Sequence, residues 1–379
     1  MDDSRLARKI LNFDFSDDEK LVRDQAARFL NEQCDRRVAR RVLEGEQPYA
    51  VQAWKGLGEM GLLATTIPEA YGGADAGYPA LCLIAEQLGA HVAATPFSSS
   101  VYLATEAILM SGCDEQKQAW LPKLATGEMI GTLAVVEGRG VLTAESIGAQ
   151  VANGALTGKK LIVPDGTIAD TAIVLARGNE GLELCVADLS HDSVARDVVE
   201  TVDPTRNSAT ISFNATPVEP LGDGDGWQTL QRIYDRAAVL FAFEQIGGAQ
   251  SALDMAVAYA QERFAFGRPI GSFQALKHMM ADMYVALKLA ESNCYYAAWA
   301  LASDAEDLPL AAATARVSAT QAYQLCSRDN IQVHGGMGFT WEFDCHLYYR
   351  RSNYLALQLG GLTEWENKLV DALPVGLVA

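Results

Sequence analysis

The sequence predicts an α+β fold, mainly α, in which a small β region sits between two helical ones. Three observations lead there. Up to about residue 128 the apolar residues fall at helical spacing. From about Met129 the chain breaks into short extended runs joined by turn residues. After Trp227 helical spacing returns over much longer stretches. These shifts divide the chain into residues 1–128, 129–220 and 221–379.

Asp17-Asp18-Glu19-Lys20-Leu21-Val22 opens a helix, because acids suit the partial positive charge of the unpaired N–H groups at a helix start. Ala80-Leu81-Cys82-Leu83-Ile84-Ala85-Glu86-Gln87-Leu88 has the apolar side of a packed helix. Ile130 to Val136 is a short apolar run without helical spacing. Val151-Ala152-Asn153-Gly154-Ala155-Leu156 carries an Asn-Gly turn between extended segments, which predicts a hairpin. Thr171 to Ala176, Leu182 to Leu189 and Ala209 to Phe213 read as further strands, ending near Pro220. Gly222-Asp223-Gly224-Asp225-Gly226 reads as a hinge. Beyond it, Met279, Met283, Leu287, Ala290, Cys294 and Ala297 form one apolar helix face. Ala315, Ala319, Ala322 and Cys326 form another, whose small residues permit close packing. Both stripes are read as core.

The chain has 379 residues, enough for a large core and more than one domain. Its net charge of −18 argues against nucleic acid as a partner, since a phosphate backbone repels an acidic surface. Cys34, Cys82, Cys113, Cys185, Cys294, Cys326 and Cys345 are dispersed, with no Cys-x-x-Cys pair. They read as reduced thiols of a cytoplasmic protein, without a metal site. Met1-Asp2-Asp3-Ser4-Arg5 shows no secretory signal. The most apolar stretch, Ala237 to Ala260, is interrupted by Glu244, Gln245, Gln250 and Asp254, which fits a bundle helix better than a membrane span.

Two segments point to chemistry. Arg263-Phe264-Ala265-Phe266-Gly267-Arg268-Pro269-Ile270-Gly271-Ser272-Phe273-Gln274 places an Arg at the end of a long apolar helix, with a second helix opening near Ser272. Gln332-Val333-His334-Gly335-Gly336-Met337-Gly338-Phe339 puts two glycines where another helix stops. A guanidinium fork suits phosphate oxygens, and paired glycines let the backbone approach an anion. Either segment alone also reads as an ordinary helix corner. Together they indicate a phosphate-bearing cofactor across helix ends.

In order and spacing these segments resemble the acyl-CoA dehydrogenase family. Ile67-Pro68-Glu69-Ala70-Tyr71-Gly72-Gly73 and Ile246-Gly247-Gly248-Ala249-Gln250-Ser251-Ala252-Leu253-Asp254 are similar to two more of its signatures, so the resemblance spans nearly the whole chain. It implies a helical N-domain, a small β domain and a C-terminal four-helix bundle. It implies FAD, an acyl-CoA substrate desaturated between its α and β carbons, a homo- or hetero-tetramer, and an electron-transferring flavoprotein as acceptor. By the same resemblance Arg263, Phe266, Ile270, Gln274, Gln332, Gly335 and Gly336 would hold the FAD of a neighbouring subunit, and Arg236 would face the substrate.

The chain also departs from the family. Desaturation needs a carboxylate base. Most members carry a Glu in a Tyr-Glu-Gly-Thr context near the C-terminus, whereas this chain has Leu357-Gln358-Leu359-Gly360-Gly361-Leu362-Thr363. Glu364 follows, where it fits a helix start. A minority takes the base from the long bundle helix, so Glu244 is the expected base, with Asp235 the alternative. At about 100° per residue the two point to opposite sides of that helix. In the β domain, Val136-Glu137-Gly138-Arg139-Gly140-Val141 replaces the usual flavin-side motif. Pro164 stands where a donor is usual and has no N–H. These joint losses resemble the paired-subunit members of bacterial steroid breakdown, in which one chain completes its partner's FAD site. A flavin monooxygenase on the same fold is a third expectation.

Overall fold

The computed structural model describes residues 14–373. The Met1 to Arg5 segment lies outside them. Helices α1 (Asp17–Gln33), α2 (Arg36–Leu43), α3 (Val51–Glu59), α4 (Gly77–Ala90), α5 (Glu106–Ser111) and α6 (Asp114–Thr126) build the first region. The acidic start expected at Asp17 is a capping box, with Ser16 and Glu19 each satisfying the other's backbone N–H. Ser98–Thr105 winds as a π-helix ahead of α5.

Seven strands follow: β1 (Gly131–Ala134), β2 (Gln150–Ala152), β3 (Ala155–Pro164), β4 (Thr171–Arg177), β5 (Leu182–Asp188), β6 (Val194–Val198) and β7 (Ser208–Pro220). β2 and β3 form the expected hairpin, with Asn153 and Gly154 both at positive φ. The order β1-β4-β2-β3-β7-β5, with β5 also paired to β4, closes β4, β2, β3, β7 and β5 into a small barrel. Closure leaves few free edges to pair with other chains. β3 carries a register shift between Lys160 and Val163, and inside it Ile162 takes φ +51°.

Helix α7 (Gly226–Glu262) then runs 37 residues, starting from the N-cap side chain of Asp225. The two-residue strands β8 (Phe264–Ala265) and β9 (Arg268–Pro269) make a tight hairpin before α8 (Gln274–Ala302), and α9 (Leu308–His334) completes the long helices. The shorter α10 (Cys345–Leu355) and α11 (Leu362–Ala372) both pack on α9. The expected stripes are core apart from Met279, which is half-buried: Met283, Leu287, Ala290, Cys294 and Ala297 on α8 are sealed from solvent, as are Ala315, Ala319, Ala322 and Cys326 on α9.

Helices α4 and α7 touch backbone to backbone. A Cβ on Gly89 would collide with the carbonyl of Glu244, and one on Gly247 with the carbonyl of Glu86. Small residues at both crossing points thus bind the first helical region to the third. Among the described residues all seven cysteines are free, none of the helices is long and apolar enough to cross a membrane, and no group of three His, Cys, Asp or Glu side chains is placed to hold a metal.

Candidate active site

A cleft of about 1110 Å³ opens where the β region meets the C-terminal helices. One wall is apolar and comes from β1, the residue that follows it, and β3: Leu133, Val135, Leu161, Ile162, Val163 and Pro164. The opposite wall comes from the end of α10 and from α11, with Tyr354, Leu357, Leu359 and Trp365 among its residues. The loop Glu137-Gly138-Arg139-Gly140 forms one rim, and nothing lies within 4 Å of where a Cβ on Gly138 or Gly140 would stand.

Two buried arginines fix the second wall. Arg316 on α9 is sealed from solvent, donates to the Gln358 carbonyl at 2.8 Å, and also bonds the Leu355 carbonyl. It also donates to the side chain of Gln245 at 2.8 Å and lies over the Phe241 ring at 5.7 Å. Burial pulls its pKa down to about 9, against the weaker opposing charge of Glu244. The strand-like spacing and helix stripes that reveal core residues give no sign of this arginine, which sits beside the alanine stripe of α9.

Arg351 on α10 belongs to a larger buried cluster. It reaches Asp203 at 2.6 Å, Thr205 at 2.9 Å and Glu244 at 3.4 Å. Arg206 pairs with Asp165 at 3.0 Å, approaches Glu244 at 3.8 Å, and lies over the ring of Tyr354 at 5.7 Å. Ser99 donates to Asp165 at 2.7 Å, tying in the π-helical segment. All three regions of the chain meet in this cluster, and Tyr354 carries its rigidity to the cleft wall.

The expected site residues separate into three places. Glu244, the expected base, does not line the cleft. It is 3% exposed inside the arginine cluster, where burial raises its pKa against the pull of Arg206 and Arg351. Asp235 faces a small side recess of about 200 Å³ and pairs with Lys368 at 2.6 Å; burial raises its pKa, with Lys368 opposing. Arg236 lines the same recess, bonded to Glu106 and to Asp304 at 3.0 Å and stacked on the Tyr78 ring at 4.5 Å. A guanidinium so engaged has its donors directed to Glu106 and Asp304, and it does not line the cleft.

The cofactor set occupies the third place, the outer ends of the long helices. Arg263 caps α7 and Gly335 caps α9. Arg263, Gln274, Gln332, Gly335 and Gly336 are exposed, Ile270 is half-buried, and Phe266 is 95% exposed. None of the seven lines the chain's own cleft. Phe264, Phe339 and Trp341 are exposed alongside them.

The acids that do line the cleft are Glu137, Glu200, Glu364 and Asp371. Glu137 is locked: Lys160 reaches it at 2.5 Å, and the Gly148 and Ala149 amides donate to it. Glu200 and Asp371 are exposed to water. Glu364 is half-buried at the third position of α11, accepting from the Gly361 amide at 3.4 Å.

A helical first region, a small β barrel and a bundle with the cleft between them define a flavoprotein-type dehydrogenase architecture. Residues 16–128 match the acyl-CoA dehydrogenase N-terminal domain and residues 224–367 the acyl-CoA dehydrogenase C-terminal domain. Acyl-CoA dehydrogenase IpdE2 of Mycolicibacterium smegmatis is 34% identical over 346 residues, covering 91% of this chain and 95% of its own. A solved variant of the Tcur3481-Tcur3483 steroid ACAD superposes with a TM-score of 0.86 at 28% identity, over 96% of this chain and 99% of that one. The ChsE4-ChsE5 complex from Mycobacterium tuberculosis does so at 0.88 and 25%, over 96% and 100%. The chain belongs to the acyl-CoA dehydrogenase family.

Proposed function

We propose that the cleft holds an acyl-CoA thioester against FAD and that the protein desaturates the acyl chain between its α and β carbons. The observation that carries this reading is the cleft itself: about 1110 Å³, apolar on its β-region wall, and bordered by a half-buried carboxylate. The wall fits a flat aromatic ring. Ile162 and Pro164 present apolar surface, and the glycine-flanked rim leaves backbone open to a ring edge. FAD would supply hydride acceptance; this chain's residues bind the acyl group, exclude water and take the α-proton.

The volume and the absence of a side chain at Gly360 favour a bulky, ring-bearing acyl group, in keeping with the steroid named for one structural relative. The outward-facing Arg263, Gln274, Gln332, Gly335 and Gly336 support a second element of the proposal: they serve the diphosphate of FAD bound to another chain of an oligomer. Pro164, with no N–H to offer, supports a partner of a different sequence that carries the fuller flavin site.

Purification alone, and with the product of a neighbouring gene, tests this reading through flavin per chain and anaerobic bleaching by acyl-CoA. Stoichiometric flavin bleached by a bulky acyl-CoA is the expected result for the active assembly. An assembly without flavin in either preparation sinks the proposal. Flavin that consumes oxygen after reduction and hydroxylates a substrate moves the protein to the monooxygenase reading.

A further inference from the structure

The cleft contains a carboxylate placed by a residue other than the one expected. Gly360 adopts φ +101°, a backbone conformation that L side chains rarely take. A Cβ built on it would meet Glu364 Oε2 at 2.7 Å and Glu364 Cδ at 3.3 Å. The carboxylate of Glu364 therefore occupies the space into which a side chain at position 360 would project. It arrives from one helical turn further along, at the start of α11. There its Oε1 accepts from the Gly361 amide, and Oε2 lies beside Gly360, both residues lining the cleft.

Elimination among the acids leads to the same group. Glu137 is neutralised by buried Lys160 and two amides. Asp235 is paired with Lys368, and Glu244 is enclosed with Arg206 and Arg351. Glu200 and Asp371 stand in water, with no fixed geometry toward a bound chain. Glu364 alone among these is half-buried without an ion-pair partner, held at one oxygen by the Gly361 amide. Tyr234 borders it in the cleft, and after burial itself the charge of Glu364 is what raises that hydroxyl's pKa.

We propose that Glu364 is the general base, its Oε2 taking the α-proton of the acyl thioester bound beside Gly360. The α C–H bond breaks and an O–H bond forms on Glu364. The electron pair stays on the substrate as an enolate, so one negative charge passes from carboxylate to thioester. The glycine at 360 is then part of the device, since any side chain there would displace the base. This assignment rests on the acyl-CoA reading above.

A 3-thia-acyl-CoA separates the proton step from oxidation, because sulfur at the β position has no hydride to surrender. In deuterated water, exchange of its α-protons is followed by NMR with the protein as purified in its native assembly. Wild type is expected to exchange them, Glu364→Gln to slow exchange by about a hundredfold or more, and Glu364→Asp to retain part of it. Asp192→Asn, at an exposed acid outside the cleft, is expected to exchange like wild type. Gln preserves the acceptor for the Gly361 amide, and Asp keeps the charge should Gln prevent folding. Unslowed exchange in Glu364→Gln overturns the assignment, as does loss confined to Glu244→Gln. No exchange by wild type sinks the acyl-CoA reading itself, and the assignment with it.

Discussion

Arg351 on α10 and Asp203, in the loop between β6 and β7, meet at 2.6 Å with both side chains essentially sealed from water. Arg351 also donates to the Ala93 carbonyl at 3.1 Å, so one side chain joins the bundle, the barrel and the first helical region. Two arginines in this cluster face three acids, Asp165, Asp203 and Glu244. Burial raises the pKa of Glu244 against the pull of Arg206 and Arg351, and with three acids against two arginines the loss of its charge leaves the cluster's formal charges balanced. The cluster sits behind Tyr354, and the cleft wall inherits its geometry.

Unequal sensitivity within the cluster follows. Arg351→Met leaves Asp203 buried and unpaired, which is expected to cost about 3–5 kcal/mol in urea unfolding. Glu244→Gln resembles the protonated acid in shape and charge and is expected to cost about 1 kcal/mol. Equal losses for the two variants would refute the charge balance described here.

Glu86, at the crossing of α4 and α7, provides a pH signature. Burial, then the nearby Glu291, raise its pKa to about 7, with Arg23 and Lys288 opposing. The folded state thus binds this proton more tightly than the unfolded chain, whose Glu titrates near 4.5. Its contribution is full below pH 4.5 and is lost as pH rises through about 7. Glu86→Gln is therefore expected to gain roughly 3 kcal/mol over wild type at pH 8 and nothing near pH 4, read from denaturation midpoints at both values. A difference independent of pH would show that Glu86 is not the group responsible.

Local chemistry made much of this fold legible. The Asp17 helix start, the Asn153-Gly154 hairpin and the α8 and α9 stripes each depend on neighbours within a few residues, and each stands where the spacing placed it. The cleft depended on relationships that no local pattern carries. Glu244 looked like an isolated acid in an apolar helix because Arg206 and Arg351, its partners, lie 38 and 107 positions away in sequence. Glu364 read correctly as a helix-start acid, yet its approach to Gly360 follows from the left-handed turn at Leu359 and Gly360, which residue types do not announce. Ile162 at positive φ runs against β-branched preference, and only the register shift in β3 explains it.

Arg263 tests the oligomeric element of the proposal. Its exposed position at the α7 terminus predicts a role that appears only between chains. Arg263→Ala is expected to leave the thermal stability of the isolated chain unchanged while weakening flavin retention in the assembly by roughly 2–5 kcal/mol, enough to lose it on gel filtration. Full flavin occupancy in that variant would remove the residue from the cofactor site.

Ile162 offers a variant in which stability and binding part company. Its backbone sits at φ +51°, costly for a β-branched residue by roughly 1–3 kcal/mol, and its side chain is 54% exposed. Glycine at this position removes the strain but adds about 0.5–1 kcal/mol of unfolded-state entropy, and little buried area is lost because the side chain already faces the cleft. Ile162→Gly is therefore expected to unfold within about 1 kcal/mol of wild type. The same change strips the apolar wall beside which the flavin ring is proposed to lie, so flavin content should fall. Measuring both on one preparation separates the two effects. A stability loss of several kcal/mol would mean that the Ile162 side chain holds the barrel together, and unchanged flavin content would move the ring away from β3.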